Sequence, residues 1–178
     1  RYVVQALLDN GASDVLFDMN SRYDVPGYGY QLACGETALA ESWMSKDYLS
    51  HNHCMLGHLY SWLFNGLGGL SQAPGSVGYK EVVIDPQVVG DIRSTRVAFE
   101  SPYGLIRSEW NDTPQTFRQT VEIPGNASAL VYLPTADPEA ISENGQPLDK
   151  IEGSTVERKG DRTVLHVGSG VYNFSVRK

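Results

Sequence analysis

The chain has 178 residues, 20% of them charged and 41% hydrophobic, which fits one ordinary globular domain or two small ones and excludes a disordered chain. With 14 Lys and Arg against 21 Asp and Glu, its formal charge is −7, so it lacks the cationic surface that a nucleic-acid partner requires. No apolar run is long enough to span a membrane, no signal-peptide pattern opens the sequence, and two cysteines cannot build a disulfide framework.

The first elements read as helical. Val3, Val4, Ala6, Leu7 and Leu8, then Val15, Leu16, Phe17 and Met19, separated by Asn10-Gly11, predict two short helices with Ser13 capping the second. Residues 23–30 are rich in Tyr and Gly and read as a loop. Thr37 to Met44 reads as a helix, on the strength of Ala38-Leu39-Ala40-Glu41. A further helix is expected from Asn52, its cap, to about Leu67. There Leu56, Leu59, Leu63 and Leu67 share one face, and Gly66, Gly68 and Gly69 end it.

Beyond Ser71 to Ser76, which reads as a linker, the hydrophobic period changes to two. Strands are expected at Val82–Ile84, Ser94–Glu100, Leu105–Trp110, Gln115–Ile123, Ala129–Leu133, Thr163–Val167 and Val171–Val176. Ser101 to Gly104 and Pro124-Gly125-Asn126 supply turns, and Asn144-Gly145 is a strong hairpin signal. Short strands with turn chemistry between them describe an antiparallel, jelly-roll-like β-sandwich. The expected class is α+β in two segments, residues 1–75 and 76–178. The first 74 residues carry 3 basic and 7 acidic side chains and the remainder 11 and 14, so neither part is a nucleic-acid arm. Three or four helices with a broad loop make a poor free-standing bundle and read as one wall of a larger structure.

Chemistry concentrates between Gly35 and Trp62. This run holds Glu36, Glu41, Trp43, Asp47, His51, His53 and His58, with Tyr28, Tyr30, Tyr48 and Tyr60 nearby. Carboxylates beside aromatic faces suit a sugar site: a carboxylate activates water or protonates a leaving oxygen, and rings cover the apolar face of a pyranose. The plainer reading is that the aromatics are core and the carboxylates solvated surface.

Gly35-Glu36-Thr37-Ala38-Leu39-Ala40-Glu41-Ser42-Trp43 and Ser50-His51-Asn52-His53-Cys54-Met55-Leu56-Gly57, followed by Trp62-Leu63 and Gly68-Gly69-Leu70, resemble the bacterial α-L-rhamnosidases of glycoside hydrolase family 78. Pro74-Gly75, Ile84-Asp85-Pro86, Glu100 to Gly104 and Ser108-Glu109-Trp110 are similar to that family's closing β-domain. The resemblance covers nearly the whole chain in order. It implies the last helices of an (α/α)6 barrel followed by the β-sandwich, and an inverting hydrolysis of terminal α-L-rhamnosides. Glu36 stands where many members have Ala, an extra carboxylate that either perturbs its neighbour or faces solvent. Ala40 stands where many have Trp or Thr, which puts substrate preference in doubt more than reaction type.

By the same resemblance Glu41 takes the position of the general base, with a surface helix carboxylate as the alternative, and His53 that of a sugar-contacting histidine, with a helix N-terminal histidine satisfied by backbone as the alternative. Tyr28, Tyr30 and Trp43 are candidates for the sugar-facing wall, with core packing as the alternative for each. Trp62 reads as core. On a regular helix Glu36 and Glu41 would point apart, so they do not read as an acid–base pair. The family's general acid lies earlier in its barrel, so this chain is expected to supply the base and not the acid, and to need the remainder of the barrel as partner. A rhamnose-containing glycan or glycoside is the expected ligand. No cofactor and no metal are expected, because His51, His53 and His58 form no metal-binding signature. Cys34 and Cys54 read as free thiols, with a disulfide between them as the alternative. The acidic balance suits a periplasmic or secreted enzyme, with a cytoplasmic one as the alternative. Two other classes compete: a non-catalytic carbohydrate-binding or structural sandwich with a helical lead-in, and an (α/α)-barrel glycosidase of other sugar specificity.

Overall fold

A computed structural model describes residues 2–178, which form two compact units, one ending at Leu63 and the other running from Phe64 to Lys178. In the first unit, α1 (Tyr2–Asp9) buries Val4 and Leu8, one turn apart, and leaves Tyr2 and Val3 exposed. The Asn10-Gly11 turn leads into α2 (Ser13–Ser21), which buries Leu16. Ser13 is not the cap expected of it. It opens the helix, fully buried, and its hydroxyl accepts a hydrogen bond from the Trp62 indole at 3.0 Å. Trp62 is core, as its spacing implies.

The Tyr/Gly-rich stretch is only in part a loop, since α3 (Tyr28–Ala33) forms within it. Pro26 lies ahead of the helix, where its missing N–H costs nothing, and the Gln31 N–H closes the first turn onto the Gly27 carbonyl at 3.0 Å. Thr37 to Met44, by contrast, is not helical. The backbone groups that a helix would pair locally have distant partners here. The Glu41 N–H donates to the Ser50 carbonyl at 2.8 Å, and the His53 N–H donates to the Leu39 carbonyl at 2.7 Å.

The helix expected from Asn52 to Leu67 is a succession of three pitches. A 3-10 turn (Cys54–Leu56) is followed by α4 (Leu59–Ser61) and a π-helical turn (Trp62–Leu67). Its cap is His53 rather than Asn52, the imidazole accepting from the Met55 N–H at 3.0 Å. Because the angle per residue changes twice, the four leucines do not stay on one face: Leu56 and Leu67 are buried while Leu63 is 42% exposed.

The second unit is the expected sandwich. Its strands are β1 (Leu70–Gln72), β2 (Glu81–Ile84), β3 (Ser94–Ser101), β4 (Gly104–Asp112), β5 (Thr116–Ile123), β6 (Ser128–Leu133), β7 (Ile141–Glu143), β8 (Gln146–Pro147), β9 (Thr155–Lys159), β10 (Arg162–Val167) and β11 (Gly170–Arg177). One sheet has the order β1-β2-β6-β10-β9 and the other β3-β4-β5-β11-β7-β8. Alternate residues of both sheets fill one core: Val82, Ile84, Val131, Leu133 and Leu165 from the first face Ile106, Trp110, Phe117, Val121 and Phe174 from the second. Asn144 and Gly145 both have positive φ and join β7 to β8, with Glu143 opposite Gln146.

Three features depart from the expectation. Leu70–Gln72, inside and just before the supposed linker, is a strand whose Leu70 is fully buried opposite Ile84. Thr155–Lys159 is an edge strand, exposed throughout and therefore without the alternation that marks a half-buried strand. The β2–β6 pair is parallel, Glu81 to Ile84 running alongside Ser128 to Val131, while the other pairs are antiparallel. Among the described residues no helix is long and apolar enough to cross a membrane.

Entry into the sandwich is constrained at Gly69. Its φ is +71°, its carbonyl accepts from the Asp85 N–H at 2.8 Å, and an added Cβ would lie 2.3 Å from the Pro86 nitrogen. Trp110 reinforces this entry by donating its indole N–H to the Leu67 carbonyl at 2.6 Å. Gly69→Ala is expected to lower stability by about 2–3 kcal/mol, combining left-handed strain with a backbone clash that no side-chain rotation relieves. A urea midpoint unchanged from the parent chain would contradict this.

Candidate functional site

Glu36 owes its position to the end of α3. The Gly35 N–H donates to the Leu32 carbonyl and the Glu36 N–H to the Gln31 carbonyl, both at 3.0 Å, and Gly35 has φ +83°. This is the Schellman ending, in which a left-handed glycine reverses the chain. Glu36 leaves the helix there with its side chain only 11% exposed and its Oε1 at 2.7 Å from Nδ1 of His51. The extra carboxylate thus faces an imidazole rather than open solvent.

Glu41 lies in an irregular, half-buried stretch, not on a helix. Its Oε2 accepts from the Ser50 N–H at 3.2 Å, while its own N–H donates to the Ser50 carbonyl. Behind it lies Gln31, 3% exposed, whose amide nitrogen donates to the Ser42 carbonyl at 3.1 Å and whose Oε1 accepts from the Ala40 N–H at 3.4 Å. Ala40, itself 1% exposed, fixes the segment from within. Sequence reasoning missed Gln31. A glutamine in a short helix carries no signal for this role, because its partners are backbone groups nine and eleven residues away.

His53 is tied to the same place through its N–H on Leu39. Its Nδ1 accepts from the Met55 N–H, so the proton of the neutral ring resides on Nε2, which is left as a donor. His58 stands apart from this pair, its Nδ1 at 3.4 Å from the Met55 carbonyl. Among the described residues no three His, Cys, Asp or Glu side chains gather as a metal would need.

The aromatic candidates separate into two places. Tyr28 and Trp43 meet edge to face, centroids 4.8 Å apart and planes at 89°, with His58 at 6.4 Å from both rings. The Tyr28 phenol donates to the Leu56 carbonyl, and burial raises its pKa. Its hydroxyl is therefore committed, and only ring surface remains to offer. Tyr30, two residues on, leaves α3 in another direction, and hydrogen bonding to the Cys34 thiol raises its phenol pKa. Cys34 and Cys54 are both free and exposed. A concavity of about 380 Å³ opens beside these groups, lined by Tyr28, Gln31, Leu32, Glu36, Leu39 and Leu59 among others.

Residues 1–67 match the family model of the bacterial alpha-L-rhamnosidase 6 hairpin glycosidase domain, and residues 69–147 match that of the bacterial alpha-L-rhamnosidase C-terminal domain. An alpha-L-rhamnosidase of Streptomyces avermitilis is 28% identical over 98% of this chain, and one of Formosa agariphila is 29% identical over all of it. The chain spans only 17% and 19% of their lengths. In structure it is similar to alpha-L-rhamnosidase from Dictyoglumus thermophilum, with a TM-score of 0.87 and 26% identity over 99% of this chain and 20% of that one. It also resembles the Streptomyces avermitilis enzyme complexed with L-rhamnose, with a TM-score of 0.84 and 28% identity over 98% of this chain and 17% of that one.

If the Gln31 amide holds the Glu41 segment, Gln31→Leu leaves the buried Ala40 N–H and the half-buried Ser42 carbonyl without this partner. A loss of about 1–3 kcal/mol is expected, with faster hydrogen exchange at the Ala40 amide. Unchanged exchange at Ala40 would show that another group holds the segment.

Proposed function

Because the chain belongs to the bacterial α-L-rhamnosidases, as the C-terminal part of a longer enzyme, we propose that it supplies the general base of an inverting hydrolysis of terminal α-L-rhamnosides. The observation that carries this reading is the fixation of Glu41. One carboxylate oxygen is oriented by the Ser50 N–H, which leaves Oε1 to accept a proton from a water. In an inverting site that water attacks the anomeric carbon from the face opposite the leaving group. The base then stands about 6.5–9.5 Å from the acid, leaving room for the water between base and sugar. The acid belongs to an earlier part of the barrel in this reading, so the isolated chain binds and positions but does not turn over.

His53 complements the base. With Nδ1 occupied by the Met55 N–H, its Nε2–H is a fixed donor suited to a rhamnose hydroxyl. The edge-to-face pair of Tyr28 and Trp43 supplies ring surface for an apolar sugar face, and Trp43, at 36% exposure, is the more available of the two. Tyr30 has the weakest support as wall, since it takes no part in the edge-to-face pair of Tyr28 and Trp43. The similarity to an enzyme complexed with L-rhamnose supports a rhamnose-containing glycan or glycoside as the ligand.

In the complete enzyme, Glu41→Gln is expected to lower kcat by about 10²–10⁴-fold on an aryl rhamnoside while leaving the melting temperature nearly unchanged. His53→Ala is expected to act mainly on KM. Turnover close to the parent's in Glu41→Gln would remove Glu41 from the role of base.

A further inference from the structure

Two irregular segments of the first unit lie against each other without helix or sheet. Three contacts tie them: the Leu39 carbonyl to the His53 N–H, Glu41 to Ser50 through backbone and carboxylate, and Glu36 to His51 at 2.7 Å. Only the last is made by two side chains alone. It links the first residue beyond the Gly35 reversal to the neighbour of Ser50, which orients Glu41, two positions ahead of His53. We propose that Glu36 and His51 are positioning residues: their contact holds segment 50–53, and with it the His53 imidazole and the Ser50 N–H, in place against Glu41.

Physical magnitudes favour a local effect over a global one. The His51 side chain is 42% exposed, and a charged contact open to water on one side contributes little to folding. Glu36, by contrast, is nearly covered and leaves a rigid helix ending, so its carboxylate is a fixed acceptor in a charge-assisted bond. A fixed acceptor orients a loop even where it scarcely stabilises the fold. A displacement of about 1 Å at a reacting group costs up to about 10²-fold in rate, so the loss of this contact reaches Glu41 and His53.

This inference rests on the reading of Glu41 as base and His53 as sugar contact, and the variants below separate the two. In the complete enzyme, Glu36→Ala and His51→Ala are each expected to raise KM and to lower kcat/KM about 10- to 100-fold, with little change in melting temperature. The double variant should be no worse than either single one, because the pair acts as a unit. Glu36→Gln retains an acceptor and His51→Asn a donor near Nδ1, so each should recover most of the loss. An unchanged KM in Glu36→Ala, or losses that multiply in the double variant, would overturn the proposal. Loss of kcat in Glu41→Gln beside a silent Glu36→Ala would leave the base in place and remove only the positioning pair. If Glu41→Gln turned over normally, titration of Glu36→Ala with L-rhamnose would still test the orientation of His53, a weakened affinity supporting it and an unchanged affinity refuting it.

Discussion

Irregular backbone has to satisfy its N–H and C=O groups without the ladder of a helix or sheet, and in the first unit the side-chain amide of Gln31 meets that demand. One amide, almost wholly covered, donates to the half-buried Ser42 carbonyl and accepts from the buried Ala40 N–H. Around this anchor the Glu41 backbone turns outward to Ser50, and the His53 N–H closes onto Leu39. The arrangement of candidate catalytic groups therefore depends on a residue with no chemical role of its own. Its helix ends in a left-handed glycine, and the same reversal delivers Glu36 to His51.

The two units were legible in the sequence to different degrees, for physical reasons. Strands of the sandwich alternate because one face is buried, and Asn144-Gly145 demands a positive-φ turn whatever surrounds it. The strands that escaped are those without alternation: Leu70–Gln72 is too short to show it, and Thr155–Lys159 is exposed on both faces. Ala38 to Glu41 has high helix propensity, worth only tenths of a kcal/mol per residue, and distant hydrogen-bond partners outweigh it. The Glu41 and His53 motifs could be read by resemblance, and a backbone bond at a helix start is among the readings of His53, but the bond of Glu41 to Ser50 could not be read. Nor could the meeting of Glu36 and His51, because a separation of 15 residues along irregular chain follows no period.

The cap at His53 also resolves an apparent conflict between structure and chemistry. A histidine satisfied by backbone and a histidine offered to a ligand look like alternatives, yet the two ring nitrogens divide the roles. Nδ1 accepts from Met55 and so determines that Nε2 donates. The same division holds for Tyr28, whose hydroxyl is used internally while its ring meets Trp43.

The parallel β2–β6 pair bears on the order in which the sandwich assembles. Residues 85–127, including the whole β3–β4–β5 meander, lie between the two strands, so their pairing closes a long loop. The meander itself needs only adjacent hairpins, such as Ser101 opposite Gly104, and can form first. Until the first sheet arrives, the apolar face carrying Ile106, Phe117 and Val121 stands open to water, and self-association of this half-built state competes with completion of the fold.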